Sequence, residues 1–196
     1  GLADAVEAMG SRSFGSVFSL VNVAYAVGMM LGPLVGSALV ESLFQQGHTI
    51  RPLRRHKDKN WGKLWNTKEL DAEADPSPFD VVINLAGENV AGKRWNPQQK
   101  EKILRSRVDS TWELVDYISQ PGKRPKLLIC ASATGYYGNR GDDIVDERSP
   151  VGSGFLAEVC REWEDALAPA EAAGIRTVRM RFGMVLSPAG GALAKM

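Results

Sequence analysis

Ser132, Thr134 and Tyr136 fall in one short run, Ser-Ala-Thr-Gly-Tyr-Tyr-Gly, directly after the apolar stretch Leu127–Ala131. A hydroxyl or phenol just past a buried strand can orient a substrate carbonyl or alcohol, and a phenol can serve as acid or base if its surroundings tune it. These three are the catalytic candidates; the competing reading is polar packing of a loop. Arg54 and Arg55 close the pattern His-Thr-Ile-Arg-Pro-Leu-Arg-Arg. In a dinucleotide-binding fold the end of the second strand meets the adenosine ribose. An acid there favours NAD, and arginines favour NADP by pairing with its extra phosphate. The competing reading is a solvated basic turn, with Arg51 and Lys57 nearby. Asn84-Leu85-Ala86-Gly87 follows another apolar run, and such small residues let the backbone approach a flat adenine or ribose. A plain strand-to-loop turn explains them equally well. Lys102 and Arg107 follow on a helical pattern, where either reaches a cofactor phosphate or stays a solvated cation.

The elements that must hold these residues alternate. Ser37–Gln46 has helical spacing and Gly47 is its stop signal. A short strand follows from His48. Residues 56–79 are polar and read as a loop with one short strand near Leu64. The segment FDVVINLAGEN from Phe79 holds a continuous apolar run, Val81–Ile83, the pattern of a strand buried on both faces. The long helix after it has Asn96 as N-cap, Pro97 at its first position and Gln99 to complete a capping box. Its expected buried stripe is Ile103, Leu104, Val108, Leu114, Val115 and Ile118. A strand at Pro125–Ser132, a glycine-rich loop from Gly135 to Gly154, a helix from Phe155 to Gly174 and a strand from Ile175 complete the order. Strands alternating with helices imply an α/β fold with a doubly wound parallel sheet, whose ligands bind at the strand carboxyl ends.

The 196 residues carry a formal charge of +1, which gives no general argument for a nucleic-acid partner. Cys130 and Cys160 lack metal-ligand spacing and read as buried thiols of a reducing cytoplasm. No metal is expected.

Residues 13–40 contain no charge, a length that spans a bilayer as a helix. Gly28, Gly32 and Gly36 recur every four residues, a spacing that lets membrane helices approach closely. Gly28-Met-Met-Leu-Gly-Pro-Leu-Val-Gly-Ser37 resembles the glycine–proline motif of major-facilitator drug and monoamine antiporters. The expected division is therefore a hydrophobic helical segment, 1–36, and a partial dinucleotide-binding domain, 37–196. The alternative function is a transporter-derived fusion anchored to the membrane through residues 13–40.

Five segments in order, NLAGENVAGKRW, SRVDST, SATGYYG, FLAEVCREWE and RFGMVLSPAGGALAKM, resemble the YfcH-like group of atypical extended short-chain dehydrogenase/reductases. That group is often labelled NAD-dependent epimerase/dehydratase or sugar-nucleotide epimerase. The resemblance implies a Rossmann-like fold, NADP rather than NAD as cofactor, and an oxidoreductase or epimerase acting on a small molecule. By the same resemblance Arg54, Arg55, Leu85, Ala86, Lys102 and Arg107 contact the cofactor, and Tyr136 faces the reaction centre. Gly87 and Tyr137 join the cofactor set, as does Gly36, which matches the last glycine of the usual turn. The chain also departs from the pattern. The earlier glycines fall at Met30 and Pro33, and a proline cannot offer an amide to a pyrophosphate. The first strand and glycine turn therefore read as replaced by the hydrophobic helix, with the join near residues 32–40. The usual catalytic Tyr-x-x-x-Lys aligns with Leu156 and Cys160, and Ala133 takes the usual Ser/Thr place. With no substrate lobe after Met196, little or no turnover is expected from this polypeptide alone. A non-catalytic NADP-binding regulator is the further alternative.

Overall fold

The structure is a computed structural model that describes residues 18–22, 32–51, 53, 79–90, 93–183, 186–187 and 190–191. Strand β1 is Phe18–Asn22, helix α1 Gly32–Gln45 and strand β2 Thr49–Ile50. Strand β3 (Val81–Asn84) leads to helix α2 (Pro97–Ile118) and strand β4 (Leu127–Ala133). A 3-10 turn, Thr134–Tyr137, precedes helices α3 (Phe155–Asp165) and α4 (Ala168–Ala172) and strand β5 (Arg176–Phe182). Two short strands, β6 (Leu186–Ser187) and β7 (Gly190–Gly191), form an antiparallel pair.

The main sheet has the order β2-β1-β3-β4-β5, and every described pairing in it is parallel. It is a Rossmann-like α/β fold. The apolar run of β3 is buried on both faces, as its lack of alternation implies. Val82, Leu128 and Cys130 face a core shared with Leu114, Val115 and Ile118 of α2 and Trp163 and Leu167 of the α3–α4 region. Val81, Ile83, Leu127 and Ile129 face the other way, against Leu39, Val40 and Leu43 of α1. Burying each of the aliphatic side chains that lose all exposure contributes about 1.5–3 kcal/mol.

The N-terminal expectation is corrected. Phe18–Asn22 is not part of a long helix but a strand, paired to β2 on one side and β3 on the other. A short apolar run suits a membrane helix or a strand buried in a parallel sheet equally well. Periodicity cannot choose, whereas the open backbone edges of β2 and β3 can. The position of the first strand is thus filled. Among the described residues no helix is long and apolar enough to cross a membrane. Helix α1 starts at Gly32, so Pro33 lies in the first turn, where no intrahelical amide bond is required. The expected division between residues 36 and 37 falls inside this helix.

Helix α2 begins as read: the Gln99 amide donates to Asn96 Oδ1 at 2.7 Å, and Pro97 is the first helical residue. The reciprocal half of the capping box does not form. The Asn96 amide donates to the Arg94 carbonyl, and Gln99 Nε2 is buried without a hydrogen-bond partner. Replacing Asn96 with alanine is expected to lower stability by about 1 kcal/mol, with serine restoring most of it. A urea titration followed by circular dichroism measures both. Ile103, Leu114, Val115 and Ile118 are buried as expected, while Leu104 and Val108 are half-buried. The single helix expected over Phe155–Gly174 is broken between Asp165 and Ala168. Pro169 has no amide to continue the ladder, and Gly174 ends the second piece at φ +84°.

The short strand expected near Leu64 lies outside the described residues.

Candidate active site

In a parallel sheet all carboxyl ends share one edge. The chain runs from β1 outward to β2, then crosses to β3 on the other side of β1. That reversal lies above Asn22 and Asn84, and at such a switch point open α/β sheets form the crevice that binds ligands. Helix α1, which contains Gly36, follows β1. Arg54 and Arg55 lie outside the described residues. The strand they follow, β2, is parallel to β1 and ends at the same edge.

Leu85, Ala86 and Gly87 turn away from β3 at this crevice. Their shape is set from below by Asn84, which is fully buried. Its Oδ1 accepts from the Ala86 amide at 3.1 Å, and its Nδ2 donates to Thr111 Oγ1 at 2.9 Å. Thr111 Oγ1 also accepts from Trp163 Nε1 at 2.9 Å, so β3, α2 and α3 meet at one hydroxyl. Arg107 holds the turn from the side. Its Nη2 donates to the Glu88 carbonyl at 2.9 Å and its Nη1 to the Ile103 carbonyl at 3.0 Å. The Glu88 amide donates to Ser106 Oγ at 2.9 Å. A Cβ at Gly87 would stand 2.9 Å from the Arg107 guanidinium carbon, so the glycine is what lets the cation lie against the backbone. Arg107 also stacks over Trp163 at 5.3 Å. Of the two expected phosphate-reaching cations, Arg107 is the one against the turn; Lys102 is exposed on α2.

A second cluster lies past β4. Ser132 is buried and donates to Glu164 Oε1 at 2.6 Å. Arg181 is the residue paired with Ser132 across the β4–β5 ladder. It meets Glu164 as a fork, Nε to Oε1 at 2.9 Å and Nη2 to Oε2 at 2.8 Å. Its Nη1 donates to the Tyr137 hydroxyl at 2.9 Å, and its guanidinium lies 3.5 Å from the Tyr136 ring centroid. Burial alone would push the Glu164 carboxyl up. The hydrogen bonds from Arg181 and Ser132, with the charges of Arg181 and Arg179, outweigh it and hold the group below its ordinary value. The Arg181 guanidinium is held protonated chiefly by its hydrogen bond to Glu164. Glu164 is therefore an anion at neutral pH and a poor proton donor.

The sequence candidates are distributed unevenly around this cluster. Tyr137 is buried, Tyr136 half-buried and Thr134 exposed, all on the 3-10 turn. The two tyrosine rings meet edge to face at 5.5 Å. Leu156 and Cys160 do face this turn: a Cβ at Gly135 would lie 3.4 Å from Leu156 Cβ and 3.7 Å from Cys160 Sγ. Burial pushes the Cys160 thiol up, and it pushes Cys130 up to about 12, so neither is a thiolate at neutral pH. The loop after the turn folds back on itself. Arg140 donates to the carbonyls of Tyr137 at 3.0 Å and Pro150 at 2.7 Å, and the Gly152 amide donates to the Tyr136 carbonyl at 2.9 Å.

Sequence reasoning missed the Glu164–Arg181 pair. A signal was present in Val-Arg-Met-Arg-Phe, residues 178–182. Strand alternation sends Val178 and Met180 to one core and Arg179 and Arg181 to the face covered by α3 and α4. Arg181 is covered there and needs an acid from the helices, which Glu164 supplies; Arg179 stays exposed and pairs with Glu171 at 2.7 Å at the rim.

Known proteins are similar to this chain in sequence and fold. The profile of the NAD dependent epimerase/dehydratase family matches residues 32–191. An epimerase family protein of Mycobacterium bovis is 40% identical over 181 residues, covering 90% of this chain and 58% of its own length. That share exceeds what residues 37–196 make up, so the likeness runs into the hydrophobic stretch before them. The chloroplastic SDR39U1 homolog of Arabidopsis thaliana is 37% identical over 172 residues, covering 83% of this chain and 49% of its own. The chain thus spans about half the length of these relatives. Among solved structures, the human epimerase family protein SDR39U1 with NADPH superposes with a TM-score of 0.69 at 30% identity, over 91% of this chain and 57% of the human one. A nucleoside-diphosphate sugar epimerase from Corynebacterium glutamicum gives 0.68 at 34% identity, over 92% of this chain and 37% of its own. With its parallel sheet, its crevice beside the Asn84 turn and these relatives, the chain belongs to the NAD dependent epimerase/dehydratase family.

Proposed function

We propose that this chain is the cofactor-binding part of an NADP-dependent oxidoreductase or epimerase-like protein. The observation that supports this reading best is the Leu85–Gly87 turn, shaped by Asn84 and braced by Arg107, at the crevice where the strand order reverses. Small residues backed by a cation suit a dinucleotide. The NADPH of the human relative, a protein 30% identical, favours the phosphorylated form. In this reading Gly36, Leu85, Ala86, Gly87 and Arg107 approach the cofactor backbone, with Lys102 and Tyr137 in outer contact. Arg54 and Arg55 pair with the added phosphate. A nicotinamide cofactor held by these residues would supply hydride exchange with a secondary alcohol or ketone. The chain itself supplies orientation and a proton path. Ser132 commits its proton to Glu164 and acts by fixing the strand end, which leaves Tyr136 and Thr134 as the hydroxyls of the turn that face a substrate.

The test is a pair of calorimetric titrations, with NADPH and with NADH. The wild-type chain is expected to prefer NADPH. Replacing Arg54 and Arg55 with alanine should cost about 1.5–3 kcal/mol of NADPH binding and much less of NADH binding. Equal losses for the two cofactors would refute the phosphate assignment, and no binding of either by the wild-type chain would refute the whole reading. A cofactor-binding regulator without turnover is the second reading. It is favoured by the apolar Leu156 and protonated Cys160 against Gly135, where proton transfer would otherwise be served.

A further inference from the structure

We propose that Arg181 is the positioning residue for Tyr136, a fixed platform that holds the phenol in one orientation at the reaction centre. This rests on the reading that Tyr136 faces that centre. Tyr136 sits on a 3-10 turn of four residues with the exposed Thr134, a setting that by itself leaves a half-buried ring free to change rotamer. The guanidinium 3.5 Å from its ring centroid removes that freedom, because a cation over a ring face is attracted to it and fills the space into which the ring would turn. A platform must itself be rigid, and each of the three guanidinium nitrogens of Arg181 is engaged. Two nitrogens take both Glu164 oxygens, and the third takes the Tyr137 hydroxyl at 2.9 Å. Glu164 is held in turn by Ser132 at 2.6 Å. Lysine carries the same charge but has neither the planar face nor the fork, so the geometry calls for arginine.

The consequence is a division of labour between the two tyrosines. Tyr137 is buried and anchors the turn through its hydroxyl to Arg181. Tyr136, stacked edge to face on Tyr137 at 5.5 Å, is the one left to meet a ligand. Glu164 and Ser132 act through Arg181 and touch no substrate.

Nitration by tetranitromethane, read residue by residue by mass spectrometry, tests the arrangement without an enzymatic assay. In the folded full chain Arg181→Met is expected to raise nitration of Tyr136 roughly tenfold, and Arg181→Lys to recover only part of the protection. Tyr117, buried in the core away from this cluster, should keep its wild-type rate. Unchanged nitration of Tyr136 in Arg181→Met, or full protection in Arg181→Lys, overturns the proposal. If Arg181→Met also exposes Tyr117, the chain has loosened as a whole, and Glu164→Gln decides. That variant keeps the side-chain shape and frees the platform, so Tyr136 alone should become more reactive; wild-type protection there overturns the proposal. Failure of the cofactor reading shows separately, as an absence of NADPH binding by the wild-type chain.

Discussion

Replacing Gly152 with alanine should lower the unfolding free energy by about 3 kcal/mol or more, because the added carbon has nowhere to go. It would lie 2.0 Å from the Tyr137 carbonyl oxygen, 2.4 Å from the carbonyl carbon and 2.7 Å from the Gly138 amide nitrogen. All three are backbone atoms, so no rotamer change relieves the overlap. The loop must separate from the 3-10 turn, which breaks the Gly152-to-Tyr136 hydrogen bond and pulls against the carbonyls that Arg140 holds. Gly183→Ala is the matched control, since a Cβ there meets nothing within 4 Å. Urea midpoints of the two variants give the answer. A Gly152→Ala chain within about 0.5 kcal/mol of wild type, the range of an ordinary surface substitution, would mean that the loop does not close as described.

The second large effect belongs to Glu164. Its side chain is 8% exposed and that of Arg181 16%, so removing the carboxylate leaves a guanidinium with little water to replace it. Breaking a buried pair in this way costs about 3–5 kcal/mol, because one charge stays behind without compensation. For Glu164→Ala in a chain of this size the melting temperature should fall by about 10 °C or more. The pH dependence follows from the direction of the shift. The folded-state value of Glu164 lies below its ordinary 4.5, so the carboxylate's contribution is fully present above that value. It is lost as pH falls through the folded-state value, where the native chain must also take up the proton. The advantage of wild type over Glu164→Ala in thermal melts should therefore be constant near neutrality and shrink in acid. An advantage that grows below pH 4.5 would contradict the assigned direction.

Much of the fold was legible because the relevant signals are local. Val81–Ile83 and Leu127–Ala131 are short apolar runs rich in β-branched or aliphatic residues and bounded by polar ones, a length that favours a strand buried on both faces over a helix. Asn96-Pro97 marks the start of α2 through a hydrogen bond made three residues away. Gly47 and Gly174 stop their helices because they adopt φ values of +82° and +84°. The break before α4 was missed, although Pro169 was its cause. Helical periodicity persists on both sides of the proline and hid the interruption.

The candidate site was legible as segments but not as a constellation. The turn at Leu85–Gly87 and the run Ser132–Tyr137 could be named because small or hydroxylic residues after an apolar run carry their own meaning. Their partners could not. Arg107 reaches Glu88 across 19 residues, Trp163 reaches Thr111 across 52, and Arg181 reaches Tyr137 across 44. Such pairs exist only once the strands are in register, and register is not written in any one segment. Ser132 shows the difference: by its own sequence it is a hydroxyl near a reaction centre, and beside Glu164 it is a donor already committed.

The sequence by itself determined the alternation of strands and helices, the helix caps and the families of residues at the strand ends, since each depends on neighbours a few positions away. Tertiary structure alone decided that Phe18–Asn22 is a strand, because an uncharged five-residue segment has no preference strong enough to outweigh two sheet edges in need of a partner. It alone decided which charges are paired, because the free energy of a buried ion depends on what the rest of the chain brings to it.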